Sequence, residues 1–428
     1  MNTIFATATA RGRAGVSVIR ISGPDAFVAC NVLAGGPVEP RRATLRAVKA
    51  RDGSVLDHAL VITFEGPSSF TGEDVVEFQL HGSVAVEKAV LSELARVPGF
   101  ALADPGEFMR RALVNGKLDL TQVEGLADLV EAQTEAQRRQ AQRVFSGEFT
   151  SVIEDIRVPL IRAASLLEAV IDFADEEVPE DVSEEVSDLI DTVLTTVRGQ
   201  IDGQKYAERV RNGFEVAIVG KPNVGKSTLL NMLAGREAAI TSHIAGTTRD
   251  VIEVQMDLSG IPVTFLDTAG LRDTDDPVEK IGVERAIDRA KNADVRVFLV
   301  ESGEQPELVV EQDDIVLVSK ADLSGSTEQG ISGKTGLGVD SLMRNLTSVL
   351  SGRVSSASLA TRDRHLNAFE RATEYLTSAK ALTSLGSESY DIAAEELRSA
   401  LRALDAVIGR VDVENLLDEI FSSFCLGK

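Results

Sequence analysis

The chain has 428 residues, of which 43% are hydrophobic and 26% charged, and its net charge is −23. This length exceeds one ordinary core and predicts two or three domains, while no apolar run approaches the roughly 20 residues that a membrane span needs. Two cysteines, Cys30 and Cys425, exclude a disulfide scaffold and predict a reducing, cytoplasmic setting. The acidic balance is the wrong sign for a chain that wraps nucleic acid by counterion release, so an RNA partner would need a local basic patch or another subunit.

The opening "MNTIFATATARGRAGVSVIR" lacks a positive cap followed by a long apolar stretch, which predicts no secretory signal. Short β-rich runs follow ("VSVIRISG", "ALVITFEG", "DVVEFQLHG") with one helical stretch, "SVAVEKAVLSELARV", predicting a compact α+β domain over 1–117. From Leu118 the period changes: Leu120, Val123, Leu126 and Val130 recur at helical spacing, with Thr121 and Glu124 placed as a capping box. Helix is expected over 118–212, including an acidic segment at 172–191 that reads as a solvated face or connecting loop. Strand–helix alternation then predicts an α/β domain over 213–351, since "VAIVG", "VTFLD", "VRVFLV" and "IVLVS" suit parallel strands buried on both faces. Helical stripes return over 352–428, marked by Leu366 and Phe369, by Leu397, Leu401 and Leu404, and by Val413, Leu416, Ile420 and Phe424. The simplest architecture is an N-terminal α+β domain and a helical domain in two pieces, interrupted by an inserted α/β domain with a parallel sheet.

The strongest motif is "VAIVGKPNVGKSTLLNML", where a buried strand leads through Gly220 and Gly225-Lys226-Ser227 into an amphipathic helix. This is the spacing and context of a phosphate-binding loop: backbone N–H groups and a helix N-terminus face the phosphates, Lys226 reaches the β- and γ-phosphates, and Ser227 ligates Mg²⁺. "AGTTRD" places Thr248 to complete the magnesium shell, and a hairpin over 251–267 alternates Ile252, Val254, Met256 and Leu258 against Glu253, Gln255 and Asp257. Asp267 ends that hairpin, suited to hold Mg²⁺ through water, and Gly270 can donate to the γ-phosphate. In "SKAD", Asp322 accepts from guanine N1–H and its 2-amino group, which favours GTP over ATP, and "SGKTG" at 332–336 closes over the base. The candidate nucleotide-binding residues are Asn223, Val224, Gly225, Lys226, Ser227 and Thr228; Ser242, His243, Ile244, Ala245, Gly246, Thr247 and Thr248; Asp267, Thr268, Ala269 and Gly270; Ser319, Lys320 and Asp322; and Ser332, Gly333 and Lys334. Ser319 stands where such base motifs begin with Asn, and loses a donor. Gly333 stands where Ala is common. Leu271 follows Gly270, and leucine can neither orient water nor donate a hydrogen bond, so either the catalytic group comes from elsewhere or the protein is a very slow switch.

Together "GRAGVSVIRISG", "FTGEDVVEFQLHG", "NGKLDLTQVEGLADLV", "GKPNVGKST", "IAGTTRD", "DTAGLRDTDDPVEKIGVERA" and "FSSFCLGK" make the chain resemble the tRNA-modification GTPase MnmE (TrmE) family over essentially its whole length. The resemblance implies a K⁺ ion in place of an arginine finger, held by Asn223, Ser242, Ile244 and Thr247 when two GTPase domains meet in a homodimer. It implies Glu279 as the residue that orients the attacking water and Arg272 as an ordering residue of the same switch, with Lys226 as the phosphate-binding catalyst. It implies a tetrahydrofolate site (a 5-formyl or methylene form) in the N-terminal domain, built from Arg20, Glu77, Lys117 and the terminal Lys428. Cys425 would then lie beside the one-carbon unit, either as a chemical participant or as a small buried hydrophobe; Cys30 reads as structural.

The implied partners are a flavin-dependent, MnmG-like protein in a heterotetramer, and tRNA gripped largely by that partner. The implied product is an aminomethyl or carboxymethylaminomethyl group on the wobble uridine. Two alternatives stand beside this reading: a regulatory GTPase of ribosome assembly, and a folate-binding scaffold with a vestigial nucleotide domain. His58, His81, His243 and His365 are scattered and suggest no zinc site.

Overall fold

The computed structural model describes residues 2–10, 12–172, 181–236, 238–239, 253–267, 291–306, 308–324 and 329–411. They fall into two compact units, one of residues up to Ala127 with the stretch from Asp405, the other of Asp128–Leu404.

The first unit is built on a six-stranded sheet. In chain order its strands are β1 (Thr3–Thr7), β2 (Ala14–Ser22), β3 (Thr44–Lys49), β4 (Val55–Phe64), β5 (Val75–Gly82) and β6 (Phe100–Leu102). Their order across the sheet is β3-β4-β5-β2-β1-β6, antiparallel except for the parallel β1–β6 pair. Period-two alternation sorts the faces. Ile19 and Ile21, Ala59 and Val61, and Phe78 and Leu80 pack with Ala29, Cys30 and Leu33 of α1 (Val28–Leu33) and Val90 and Leu94 of α2 (Val84–Leu94). Arg20 and Glu77 alternate out of that core and stand opposite each other in the β2–β5 register. Beyond the sheet α3 (Glu107–Val114) contributes Phe108 to a small cluster with Ile4, Ala6 and Ala103.

The helix α4 (Leu120–Glu131) starts where the change of period predicts, but its cap is different. Asp119, not Thr121, receives the backbone N–H of Gln122 at 2.8 Å, and the Gln122 side chain receives the Asp119 N–H at 3.0 Å. This is a capping box shifted by two residues, because carboxylate and amide close the same reciprocal ring as hydroxyl and carboxylate. Thr121 and Glu124 are instead buried.

The second unit joins helices to an α/β sheet. Its helical part comprises α5 (Glu135–Phe145), α6 (Glu148–Asp172) and α7 (Ser183–Asn212), with α11 (Asp363–Thr383) and α12 (Tyr390–Val407) from the far side of the sequence. Phe149 is buried edge-on against His365 at 5.0 Å and beside Phe369 at 6.2 Å. The long α7 passes through Gly213 directly into β7 (Phe214–Val219), so helix and sheet are covalently coupled with a one-residue joint.

Four strands of the second sheet are parallel: β11 (Ile315–Val318), β10 (Val295–Val300), β7 and β9 (Ile261–Asp267). The antiparallel β8 (Glu253–Leu258) lies on the edge, giving the order β11-β10-β7-β9-β8. The β8–β9 hairpin is as the alternation predicts, with Val254, Met256 and Leu258 buried; Ile252 lies outside the described residues. Flanking helices α8 (Lys226–Ala234) and α10 (Val339–Ser355) bury Leu229, Leu230, Leu233, Leu342, Leu346 and Leu350 against the sheet. A single helical turn, α9 (Ala321–Ser324), follows β11. No described helix is long and apolar enough to cross a membrane.

Candidate functional site

The C-terminal ends of β7, β10 and β11 carry loops to one edge of the sheet, the usual position of ligands in parallel α/β folds. At the end of β7 the backbone of Gly220 passes so near β10 that a Cβ would lie 2.4 Å from the Leu299 carbonyl oxygen. Only glycine fits there. The chain then turns through Asn223 (φ 61°) and Gly225 (φ 114°), pinned by the buried Val224, and enters α8. Lys226, only 5% exposed, donates its ammonium to the carbonyl of Gly220 and, at 2.9 Å, to that of Lys221. The loop therefore holds a positive charge inside its own curve. Ser227 and Thr228 stand exposed on the first turn.

The base side is assembled from two segments. Ser319 N–H donates to Val300 O at 2.9 Å, Lys320 (φ 54°) pairs with Glu301 at 3.2 Å, and Asp322 is exposed on α9. The second segment is tied to the first: Ala321 N–H donates to Ile331 O at 3.2 Å and Ile331 N–H to Val318 O at 2.8 Å. Ser332 Oγ accepts the N–H groups of Lys334 and Thr335 at 3.3 and 3.2 Å. Gly333 rests on the first turn of α8, where a Cβ would meet Leu229 N at 2.6 Å. Phosphate loop and base loop are thus brought together, with the chain of Asp267 beside them through its register with Ile218.

The expected residues Ser242, His243, Ile244, Ala245, Gly246, Thr247, Thr248, Thr268, Ala269, Gly270, Arg272 and Glu279 lie outside the described residues, as does the side chain of Asp267.

In the first unit Arg20 and Glu77 form an ion pair at 2.8 Å, with side chains 23% and 17% exposed. Sequence reasoning named both but missed their aromatic surroundings: the Arg20 guanidinium lies 5.2 Å from the Phe70 ring centre and 5.9 Å from that of Phe108. Phe70 is separated from its arginine by 50 positions, and no local period marks that contact. Lys117 packs its side chain over Gly72, where a Cβ would come within 3.2 Å of Lys117 Cγ. Beside this group the Arg111 guanidinium is buried between Glu73 (3.0 Å) and Glu107 (2.8 Å). A carboxylate and two cations lie here with the half-buried Phe70, while Phe108 is fully buried behind them. Cys425 and Lys428 lie outside the described residues.

A family described as "MnmE helical domain" matches residues 120–425, and one described as "GTP-binding protein TrmE N-terminus" matches residues 3–117. The "tRNA modification GTPase MnmE" of Roseobacter denitrificans is 58% identical over 430 residues, and that of Ruegeria pomeroyi 56% over 428; each comparison covers 100% of both chains. A crystal structure of Era from Aquifex aeolicus bound to GDP.AlF4- is 29% identical over 32% of this chain and 56% of that one. Its TM-score is 0.24. With relatives matched from end to end, the chain belongs to the tRNA modification GTPase MnmE family and is a GTP hydrolase.

Proposed function

We propose that this chain is a potassium-activated GTPase that works with a flavin-dependent, MnmG-like partner to place an aminomethyl or carboxymethylaminomethyl group on the wobble uridine of certain tRNAs. Asn223 carries the potassium half of this proposal. Its backbone is left-handed, its side chain is exposed, and it makes no hydrogen bond among the described residues. An amide that merely closed a loop would be engaged with the backbone of that loop. With Ser242, Ile244 and Thr247, it would hold K⁺, whose charge stands in for the arginine of related hydrolases.

Ser227 and Thr248 would ligate Mg²⁺ with hydroxyl oxygens, the hard donors that ion prefers. Lys226, already inside the loop, would exchange backbone carbonyls for phosphate oxygens. Glu279 would orient the water that Leu271 cannot, and Arg272 would order the same segment. Asp322 would accept from guanine, with 332–334 closing over the base.

The Arg20–Glu77 pair, Lys117 and Lys428 would bind the tetrahydrofolate, with Glu77 facing pterin donors and Phe70 lending a ring face. Cys425 would lie beside the carried carbon. Domains of 1–117 (folate binding and dimerisation), 118–212 and 352–428 (helical) and 213–351 (GTPase) fit this division of labour. A cytoplasmic homodimer would join the partner in a heterotetramer, the partner supplying most of the tRNA grip that a net charge of −23 disfavours here.

GTP turnover in KCl against NaCl tests the proposal. Potassium should raise the rate at least about tenfold, modest beside the gain an arginine finger brings. Asn223→Ala should abolish that gain while retaining GTP binding. Equal rates in the two salts would overturn it.

A further inference from the structure

We infer that residue 319 does not read guanine N7, so that base recognition in this chain falls to Asp322 and the backbone of 332–334; this deepens the GTP-binding reading above and rests on it. Guanine offers N7 and O6 as acceptors on one edge, and N1–H and its 2-amino group as donors on another. An amide at the start of the base motif has N–H groups to give to the first edge. Serine at 319 has one hydroxyl, and the structure removes it from the site. The residue is 7% exposed, its Oγ has no accessible surface, and it has no hydrogen-bond partner among the described residues. An atom without accessible surface cannot meet an incoming base unless its cover moves.

Two further observations show what remains. Asp322 is exposed on α9 and makes no ion pair among the described residues, so its carboxylate is available to the donor edge of guanine. Gly333 lets the base loop sit directly on α8: a Cβ would come within 2.6 Å of Leu229 N and 2.8 Å of the Thr228 carbonyl carbon. Backbone apposition therefore locks base loop to phosphate-loop helix without a bridging amide at 319. The donor edge of guanine is read and its N7 is not.

Competition of GDP, 7-deaza-GDP and IDP against a fluorescent guanine nucleotide on the full chain tests this. 7-deaza-GDP lacks the N7 acceptor and IDP lacks the 2-amino donor. GDP and 7-deaza-GDP should differ by less than about threefold, whereas IDP should bind about tenfold more weakly, the worth of a hydrogen bond to a carboxylate. Ser319→Asn, once its thermal midpoint shows it folded, should gain about fivefold for GDP and nothing for 7-deaza-GDP. A 7-deaza penalty of about threefold or more in the unmodified chain overturns the inference, as does a folded Ser319→Asn indifferent to N7. No binding of any of the three nucleotides would sink the GTP-binding reading itself.

Discussion

Cys30 illustrates how far one residue's surroundings set its chemistry. It is 1% exposed, packed by α1 against the first sheet, and burial pushes its thiol up from near 9 to about 11, outweighing the opposite pull of Arg46. A buried neutral thiol is a small hydrophobe rather than a nucleophile. At pH 8 iodoacetamide should leave Cys30 unmodified in the native protein and alkylate it in urea, as peptide mass spectrometry would show; native labelling at a rate typical of a free thiol would refute its burial. Above pH 9 the unfolded chain releases this proton while the folded chain retains it, so stability falls as pH rises from about 9 to about 11. Cys30→Ala should flatten that part of the pH–stability curve, whatever it costs in packing.

At the level of elements, helix ends decide more than helix interiors. Thr134 caps α5 through a complete box with Gln137, whose side-chain oxygen lies 3.1 Å from the Thr134 backbone nitrogen. The Gln137 amide also donates to Arg211 O at 2.9 Å, near the end of α7, and the Ala136 N–H donates to Gly260 O at 2.8 Å in the β8–β9 turn. One short helix start thus touches the helix that feeds β7 and the hairpin that ends in Asp267. Thr134→Ala should lower stability by about 1 kcal/mol, read as a shift in urea midpoint at unchanged slope; no shift would mean that the cap contributes nothing in this context. Strands show the same dependence on partners. The run "VRVFLV" reads as apolar on both faces, yet Arg296 is buried in it, tolerated because Asp314 lies 2.6 Å away.

On the scale of the whole molecule, each unit holds a hydrophobic cluster among its described residues: one spans Phe5–Leu94, the other Val210–Leu350. Damage to one should therefore leave the other folded. Arg111 is the place to test this, because the residue is 9% exposed and its guanidinium is held by Glu73 and Glu107. Arg111→Met leaves two carboxylates without their counter-charge and should cost about 3–5 kcal/mol. Amide hydrogen exchange should accelerate over 2–127 while GDP binding, which depends on the other unit, is preserved. Parallel loss of nucleotide binding would contradict the independence of the cores.

Local patterns carried the succession of strands and helices along the chain, the glycine turn before α8, the β8–β9 hairpin and the helical stripes as far as Leu404, because each depends on residues within a few positions of one another; the stripe from Val413 to Phe424 lies outside the described residues. The placement of Lys226 at a helix start after a glycine turn was legible for the same reason. Only the tertiary structure decided that Arg20 faces Glu77 near two aromatic rings, that Ser319 turns its hydroxyl into a sealed interior, and that Gly333 touches α8. Those contacts join segments tens to a hundred positions apart, and whether an atom is covered or within reach is set by close packing, which no spacing along the chain encodes.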